Sequence, residues 1–423
     1  MELNTGSGNA EAASEVKRPR VRDMRRYIPE LGLFEYWHPA IEAKRVGWKK
    51  PVPLTILEQP LALFRDGEGN VAAVTDICPH RGASLSKGAC HFKGTITCPY
   101  HAWTFDALGE CLAVLGEGPT SVIPGRKDAR IRTFPTKTIH GMVFIWMGTG
   151  VPAPIEEDVP IEFFLPDFTI RYETVIWNVN WRPSVENILD AHPFYVHRNS
   201  VEFMFTSRDA FVGLSHLGPR RPKAEVHNGR AVGFNWHNPG DPGFKRDPAE
   251  PEKSYSQSYP GLGGQKWPPT EHRLLWHSIV SRFQRSVPPL LESREWSCAF
   301  HLPGYARFDY GSFVYSRATV PIDKKTCRII YFFATRSKSK AGKLYHFLRF
   351  HLWKNWSMHF NFSGQDEVVI VPQNYDAPEH LSPTDIIPVS VRRLILSHAR
   401  DLQGKAQEAV PDEFRVAPAE AVH

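Results

Sequence analysis

"CPHRGASLSKGACHFKGTITCPYHAWTF", Cys78 to Phe105, holds a Cys-x-His pair and, after 17 intervening residues, a Cys-x-x-His pair. Thiolate and imidazole are the side chains that hold zinc and iron–sulfur clusters. Zinc fingers group like ligands, Cys with Cys and His with His. Here each pair mixes one Cys with one His. That order suits a two-iron cluster whose irons differ chemically, with Cys78 and Cys98 on one iron and His80 and His101 on the other. Gly82, Gly88 and Gly94 allow the tight backbone paths that turn amides toward cluster sulfurs.

A cluster with two Cys and two His ligands is a Rieske [2Fe-2S] centre. Tyr100 and Trp103 read equally well as shields against water and as plain hairpin packing. Cys90 and Cys111 have no matching partner signal and read as free thiols. A disulfide-braced respiratory form needs an extra cysteine in each loop. Gly82 and Tyr100 stand there instead, which argues against it.

The bulk of the chain sets limits. At 423 residues, one to three domains are expected, with 42% apolar residues for their cores. The net charge of +6 is mild, and the only dense basic run is Lys17 to Arg26, which reads as a solvated N-terminal arm. Nucleic-acid binding is therefore not expected. No run of 18 apolar residues offers a membrane span, and no apolar segment follows Met1 as in a secretory signal. Six cysteines do not make a disulfide scaffold. The expected location is the cytoplasm.

Hydrophobic periodicity divides the rest. "LALFRDGEGNVAAV" reads as a hairpin turning at Asp66-Gly67, and "TITCPYHAWTFDALGECLAVL" as a second turning near Leu108-Gly109. "GMVFIWMG" reads as a buried strand. "VPAPIEEDVP" marks a linker near residues 151–160. "FTIRYETVIWNVNW" alternates as a half-buried strand, and "RPSVENILDAH" follows as a helix opening at Pro183-Ser184. Residues 200–270 read as loop-rich. Strands resume at "RLLWHSIVSRF", "WSCAFHL", "GSFVYSRATV" and "CRIIYFFATR", the last two forming a hairpin over "PIDKKT". An aromatic helix is expected from about Lys343 to Phe360, and an amphipathic one at "VSVRRLILSHARDL". The aromatic set at His346, Phe347, Phe350, Trp353, Trp356 and Phe360 reads first as core and second as a pocket lining. The fold class is α+β: an all-β N-terminal domain, then an antiparallel sheet around a long C-terminal helix.

"VENILDAHPFYVH" supplies Glu186, Asp190, His192 and His197. Two histidines and a distant carboxylate form a facial triad, which leaves positions open on Fe(II) for O2. Five residues turn an ideal helix by about 140°, so His192 and His197 cannot share its face. Pro193 breaks the helix between them. Asp366 in "FSGQDEVVIVPQ" is the expected third ligand, because a carboxylate ahead of an apolar run is buried and needs a partner. Glu367 is the alternative, while Asp376 and Asp385 read as loop and capping residues.

On these motifs the chain resembles the oxygenase components of Rieske non-haem iron oxygenases, of the carbazole 1,9a-dioxygenase type. The matching segments are "TITCPYHAWTF", "GPTSVIPGRKDARIRTFPT", "GMVFIWMGTGVPAP" and "NWRPSVENILDAHPFYVHRNS". The resemblance implies an N-terminal arm (1–33), a Rieske domain (34–150) and a helix-grip catalytic domain (151–423). It implies a mononuclear iron, a head-to-tail homotrimer, and electrons from a ferredoxin or an NAD(P)H-dependent reductase. It also implies an aspartate bridging the iron site to a Rieske histidine of the next subunit, a role that maps onto Asp190 and His101. The family spacing is Asp-x-x-His-x3–4-His, whereas this chain has Asp-x-His-x4-His. The substrate implied is apolar, aromatic or polycyclic, to be hydroxylated, dihydroxylated or demethylated. The rival reading is a Rieske electron carrier whose C-terminal domain only binds a ligand or partner.

Overall fold

The computed structural model describes residues 23–190, 196, 197, 200, 201, 223–235, 258–266, 298–404 and 408–414. Ten strands build the N-terminal part: β1 (Trp37–Glu42), β2 (Val52–Ile56), β3 (Gln59–Arg65), β4 (Val71–Thr75), β5 (Thr95–Thr97), β6 (Trp103–Asp106), β7 (Cys111–Val114), β8 (Thr133–Phe134), β9 (Thr136–Ile139) and β10 (Met142–Trp146). They form three antiparallel sheets, β1-β10-β9, β2-β3-β4-β8 and β5-β6-β7. The Asp66 turn is as expected: its carboxylate accepts the Glu68 and Asn70 amides at 2.9 and 2.8 Å, closing β3 onto β4. The second expected hairpin is β6–β7, and β10 is buried along its whole length.

The second part centres on a seven-stranded sheet, in the order β11-β19-β18-β17-β16-β13-β12. Its strands are β11 (Phe168–Trp177), β12 (Lys223–His227), β13 (Ala231–Asn235), β16 (Cys298–His301), β17 (Tyr305–Asp309), β18 (Val314–Pro321) and β19 (Cys327–Arg336). A small ribbon, β14 (Ser258–Tyr259) with β15 (Gln265–Lys266), stands apart. Both faces of the large sheet are covered, which is why "CRIIYFFATR" is almost continuously apolar. Ile329, Tyr331 and Phe333 face one core, and the alternate residues Ile330, Phe332 and Ala334 face another. That second core also holds Trp37, Leu61, Leu63 and Phe144, so the N-terminal sheets pack directly on the large sheet. A third core lies under the Cys/His loops and contains Cys78, Cys98, Trp103 and Phe105.

Among the described residues four α-helices flank the sheet: α1 (Trp181–Asn187), α2 (Lys340–Arg349), α3 (Ser363–Ile370) and α4 (Ile386–His398). Helix α1 begins two residues before the expected Pro183. Its cap is Asn180, whose side chain accepts the Arg182 amide at 3.0 Å. The expected aromatic helix runs further than its sequence suggests. A wide turn with i→i+5 hydrogen bonding, Phe350–Phe362, joins α2 to α3 without a break, so Asp366 lies within the helical run. Of the aromatic set only Phe350 is core, at 2% exposure. Phe347, Trp353, Trp356 and Phe360 are 37–50% exposed, contrary to the core reading.

Two more expectations change. The loop-rich stretch contains the β12–β13 hairpin, turned by Asn228-Gly229, both at positive φ. The basic run is not wholly a solvated arm: Asp23–Tyr27 is folded and Arg25 is buried, paired with Asp23 at 2.7 Å. "RLLWHSIVSRF" lies outside the described residues. Among the described residues no helix is long and apolar enough to cross a membrane.

Candidate metal centres

The first centre sits on two adjacent loops. One follows β4 and runs from Cys78 to a short helical turn at Leu85–Lys87. Asp76 anchors that turn, its carboxylate accepting the Ser86 amide at 2.6 Å and the Ser86 hydroxyl at 2.5 Å. Gly82 has φ +73°, a conformation glycine adopts without steric cost. Gly88 serves a different purpose: a Cβ there would lie 1.9 Å from the Thr97 carbonyl oxygen, so only glycine lets the two loops approach. The other loop turns from β5 to β6 through Cys98–Ala102, with the Cys98 amide donating to Trp103 O at 2.8 Å. Ala102 is held at φ 56°, an uncommon backbone state for a non-glycine residue and one that clusters at functional sites.

These loops bring the four ligand candidates together. Cys78 and Cys98 are buried at 1% and 3% exposure, while His80 is exposed and His101 half-buried. The two imidazoles lie 4.5 Å apart, centre to centre. Trp103 stacks on His80 at 5.0 Å, and the tilted Tyr100 ring lies 3.8 Å from that of His101. Burial pushes the Cys78 thiol up to about 12, against the pull of the His80 and Arg81 amides aimed at its sulfur. Such amides stabilise a thiolate, and cluster binding displaces the proton. Two sulfurs inside and two imidazoles at the surface fit a cluster with one buried and one outer iron. Cys90 and Cys111 are free thiols. Arg81, Lys87 and Lys93 are exposed around the loops.

The second centre is assembled from distant segments. His197 Nε2 lies 3.1 Å from Asp366 Oδ1, both side chains being nearly inaccessible. Phe362 stacks on the His197 ring at 3.6 Å. The Ser200 amide donates to His197 O at 2.8 Å, and the Val201 amide to Asn361 Oδ1 at 2.8 Å, so Val201 is fastened to the wide turn close to His197. Glu367 is half-buried, and burial raises its carboxyl. Asp385 caps a short turn through Ser382, as its sequence suggests. His192 lies outside the described residues. Asp190 follows α1 and lines a cavity of about 380 Å³ with Glu186, Asn187, Val196 and Ile370.

Among the described residues no three His, Cys, Asp or Glu side chains converge on one point. The donor chemistry accounts for this. Each iron of a two-Cys, two-His cluster takes only two protein ligands. His192, the third residue expected beside His197 and Asp366, lies outside the described residues. Sequence reasoning missed the partners that hold these residues, Phe362, Asn361 and Asp76. Asp76 had a readable signal, a carboxylate two residues before the candidate ligand Cys78 and ten before Ser86. The others had none.

Comparison with known proteins decides what these segments are. Residues 36–135 match the Rieske [2Fe-2S] domain, and residues 146–229 match the homotrimeric ring hydroxylase family. Two segments of this chain thus match a Rieske domain and a ring-hydroxylase domain. The terminal oxygenase component of carbazole 1,9a-dioxygenase from Metapseudomonas resinovorans is 33% identical over 216 residues, covering 51% of this chain and 56% of that protein. The chain thus spans about half the length of the curated relatives it matches. The solved terminal oxygenase of carbazole 1,9a-dioxygenase from Nocardioides aromaticivorans IC177 superposes with a TM-score of 0.68 at 22% identity, over 91% of this chain and 96% of that one. A reduced complex between oxygenase and ferredoxin in carbazole 1,9a-dioxygenase gives 0.67 at 21% identity, over 92% and 97%. The Rieske and ring-hydroxylase domains therefore have the terminal oxygenase fold, all-β first and sheet-rich second.

Proposed function

We propose that the chain is the terminal oxygenase of a multicomponent Rieske oxygenase, acting with O2 on an apolar aromatic or polycyclic substrate. The observation that carries this reading is the buried His197–Asp366 pair, present on the same chain as the Cys78/His80/Cys98/His101 set. An electron carrier has no use for a desolvated His–carboxylate pair, which is costly to bury without a metal or proton to share.

In this reading Cys78 and Cys98 hold one cluster iron, and His80 and His101 the other. His192, His197 and Asp366 hold the mononuclear iron. When bound, the two centres supply one-electron transfer and O2 activation. The chain's own residues do the rest. Phe362 covers the His197 face and excludes water, and the Asn361–Val201 bond fixes the approach of that histidine. Asp190 contacts His101 of the partner subunit in a head-to-tail homotrimer. Arg81, Lys87 and Lys93 receive an acidic ferredoxin or a reductase by a salt-sensitive contact. An external donor is needed because "GLGG", Gly261–Gly264, sits in an exposed turn and lacks a strand–helix nucleotide site.

The proposed units are an arm at 1–33, a Rieske domain at 34–150 and a catalytic domain at 151–423. The proposed location is the reducing cytoplasm, where Cys78 and Cys98 are reserved for the cluster and Cys90, Cys111 and Cys327 stay thiols. The test is O2 uptake coupled to product mass over a panel of aromatic compounds, with iron counted per chain. Three irons and one or two added oxygens, or a lost methyl, are expected. Two irons and no uptake would favour the electron carrier.

A further inference from the structure

The cavity beside Asp190 has a second wall, made by Glu379 and Arg392. Arg392, on α4, is only 3% exposed. Its guanidinium grips Glu186 with two prongs, Nε donating to Oε1 at 2.8 Å and Nη2 to Oε2 at 2.6 Å. The outer edge meets Glu379, with Nη1 to Oε2 and Nη2 to Oε1 both at 2.7 Å. The Tyr375 hydroxyl donates to Glu186 Oε1 at 2.8 Å. The Tyr375 ring in turn takes the guanidinium groups of Arg25 and Arg182 at 5.2 and 5.1 Å.

Stability alone does not account for such a clamp, because buried ion pairs add little over apolar packing of equal volume. Its place in the fold gives a better reason. Helix α1 has 7 residues, too few to hold an orientation without tertiary contacts. Asp190 follows Glu186 by four residues, and its amide donates to Asn187 O at 3.3 Å, so the chain is still turning there. Glu186 and Asp190 line one cavity. Whatever fixes Glu186 fixes the rotation of α1 about its axis, and with it the direction of the Asp190 carboxylate. The planar guanidinium matches a carboxylate in a way an ammonium does not.

We propose that Arg392, acting through Glu186, is the positioning residue that aims Asp190 across the subunit joint. This rests on the proposed function, in which Asp190 contacts His101 of the partner subunit. A carboxylate beside a cluster ligand disfavours the added electron and holds the potential down. The experiment measures the Rieske midpoint potential of the holoenzyme by dye-mediated titration, together with amide hydrogen exchange over residues 181–190. Neither reading requires a substrate.

D190N is expected to raise the potential. R392K keeps a cation between the two carboxylates but loses the fork, and is expected to raise the potential in the same direction. Exchange at residues 186–190 should quicken by about tenfold as the helix end loosens. E186Q, which keeps the side-chain shape and weakens the grip, gives an independent version of both readings. E379Q cuts the same guanidinium's tie to the 372–382 loop and is expected to lower Tm with the potential unchanged. A wild-type potential in R392K and E186Q, with D190N shifted, would overturn the role of Arg392 alone. No shift in D190N would overturn the bridge and the proposal with it. A potential that simply tracks Tm across all variants, E379Q included, would reduce the clamp to ordinary structure.

Discussion

The Rieske end draws all four of its candidate ligands from 24 consecutive residues, Cys78 to His101, on two neighbouring loops. The second candidate site instead joins His197, beyond α1, to Asp366 on α3. Short loops close at small entropic cost, so the first site is nearly a local property of two hairpins. The second exists only once the seven-stranded sheet, the wide turn and α1 have packed. One site is written in spacing and the other in topology, and they should fail in different ways.

The largest expected effect breaks the local site alone. C78A or H101A should abolish the Rieske visible spectrum and the EPR signal of the reduced protein, and H80A and C98A should do likewise, because a methyl group cannot replace thiolate or imidazole. Retention of the spectrum in C78A or H101A would remove the cluster assignment. At the second site H192A, H197A or D366A should lower iron from three toward two per chain, with the Rieske spectrum intact and O2-coupled turnover lost. Should D366A keep its iron, the carboxylate would pass to Glu367.

Away from both sites' candidate ligands, Glu162 and Arg307 form an ion pair at 3.1 Å, at 1% and 0% side-chain exposure. E162Q leaves the guanidinium uncompensated and should cost about 3–5 kcal/mol, read by denaturant unfolding. Loss on that scale should loosen both regions together, unlike the metal-ligand variants.

Acid offers a finer test. Burial lowers His38 of β1 to about 4, so it is neutral in the fold while the unfolded chain takes up a proton near 6.5. Its contribution is complete above pH 6.5 and is lost as pH falls toward 4, by at most about 3 kcal/mol. The Tm advantage of wild type over H38Q should therefore shrink between pH 7 and pH 5. Asp158, in the linker, has the opposite sign. Burial raises it to about 6 despite the Arg400 contact at 2.9 Å, so the folded state takes up a proton before the unfolded chain does. Its term favours folding increasingly as pH falls from about 6 toward 3.8. The advantage of wild type over D158N should grow over the same interval, the smallest effect of the series. Equal slopes for both variants would show that neither group titrates as its burial dictates.

How much was legible follows the same division. The Asp66 hairpin, the continuous apolar run of β19 and the alternation of β11 were readable, because strand and turn signals act over a few residues. Asn228-Gly229 carried a hairpin signal too, and reading residues 200–270 as loop overlooked it. The true start of α1 hinged on Asn180, a capping residue outside the apolar pattern. The exposure of Trp353 and Trp356 was not readable, since the wide turn changes which residues of the run meet the sheet. Nor was the burial of Arg25, whose partners include Glu379 at 3.6 Å, more than 350 residues away.

The sequence by itself determined which residues are candidate ligands and their grouping into two Cys/His loops, because thiolate and imidazole act through their own chemistry; the expected break at Pro193 lies outside the described residues. Tertiary structure alone decided that Asp366 meets His197, and that Glu186, a candidate beside Asp190, is taken up by Arg392 and Tyr375. Periodicity fixes which face of an element is apolar. It does not say which distant element will cover that face, and in this chain the buried carboxylates acquire their partners only there.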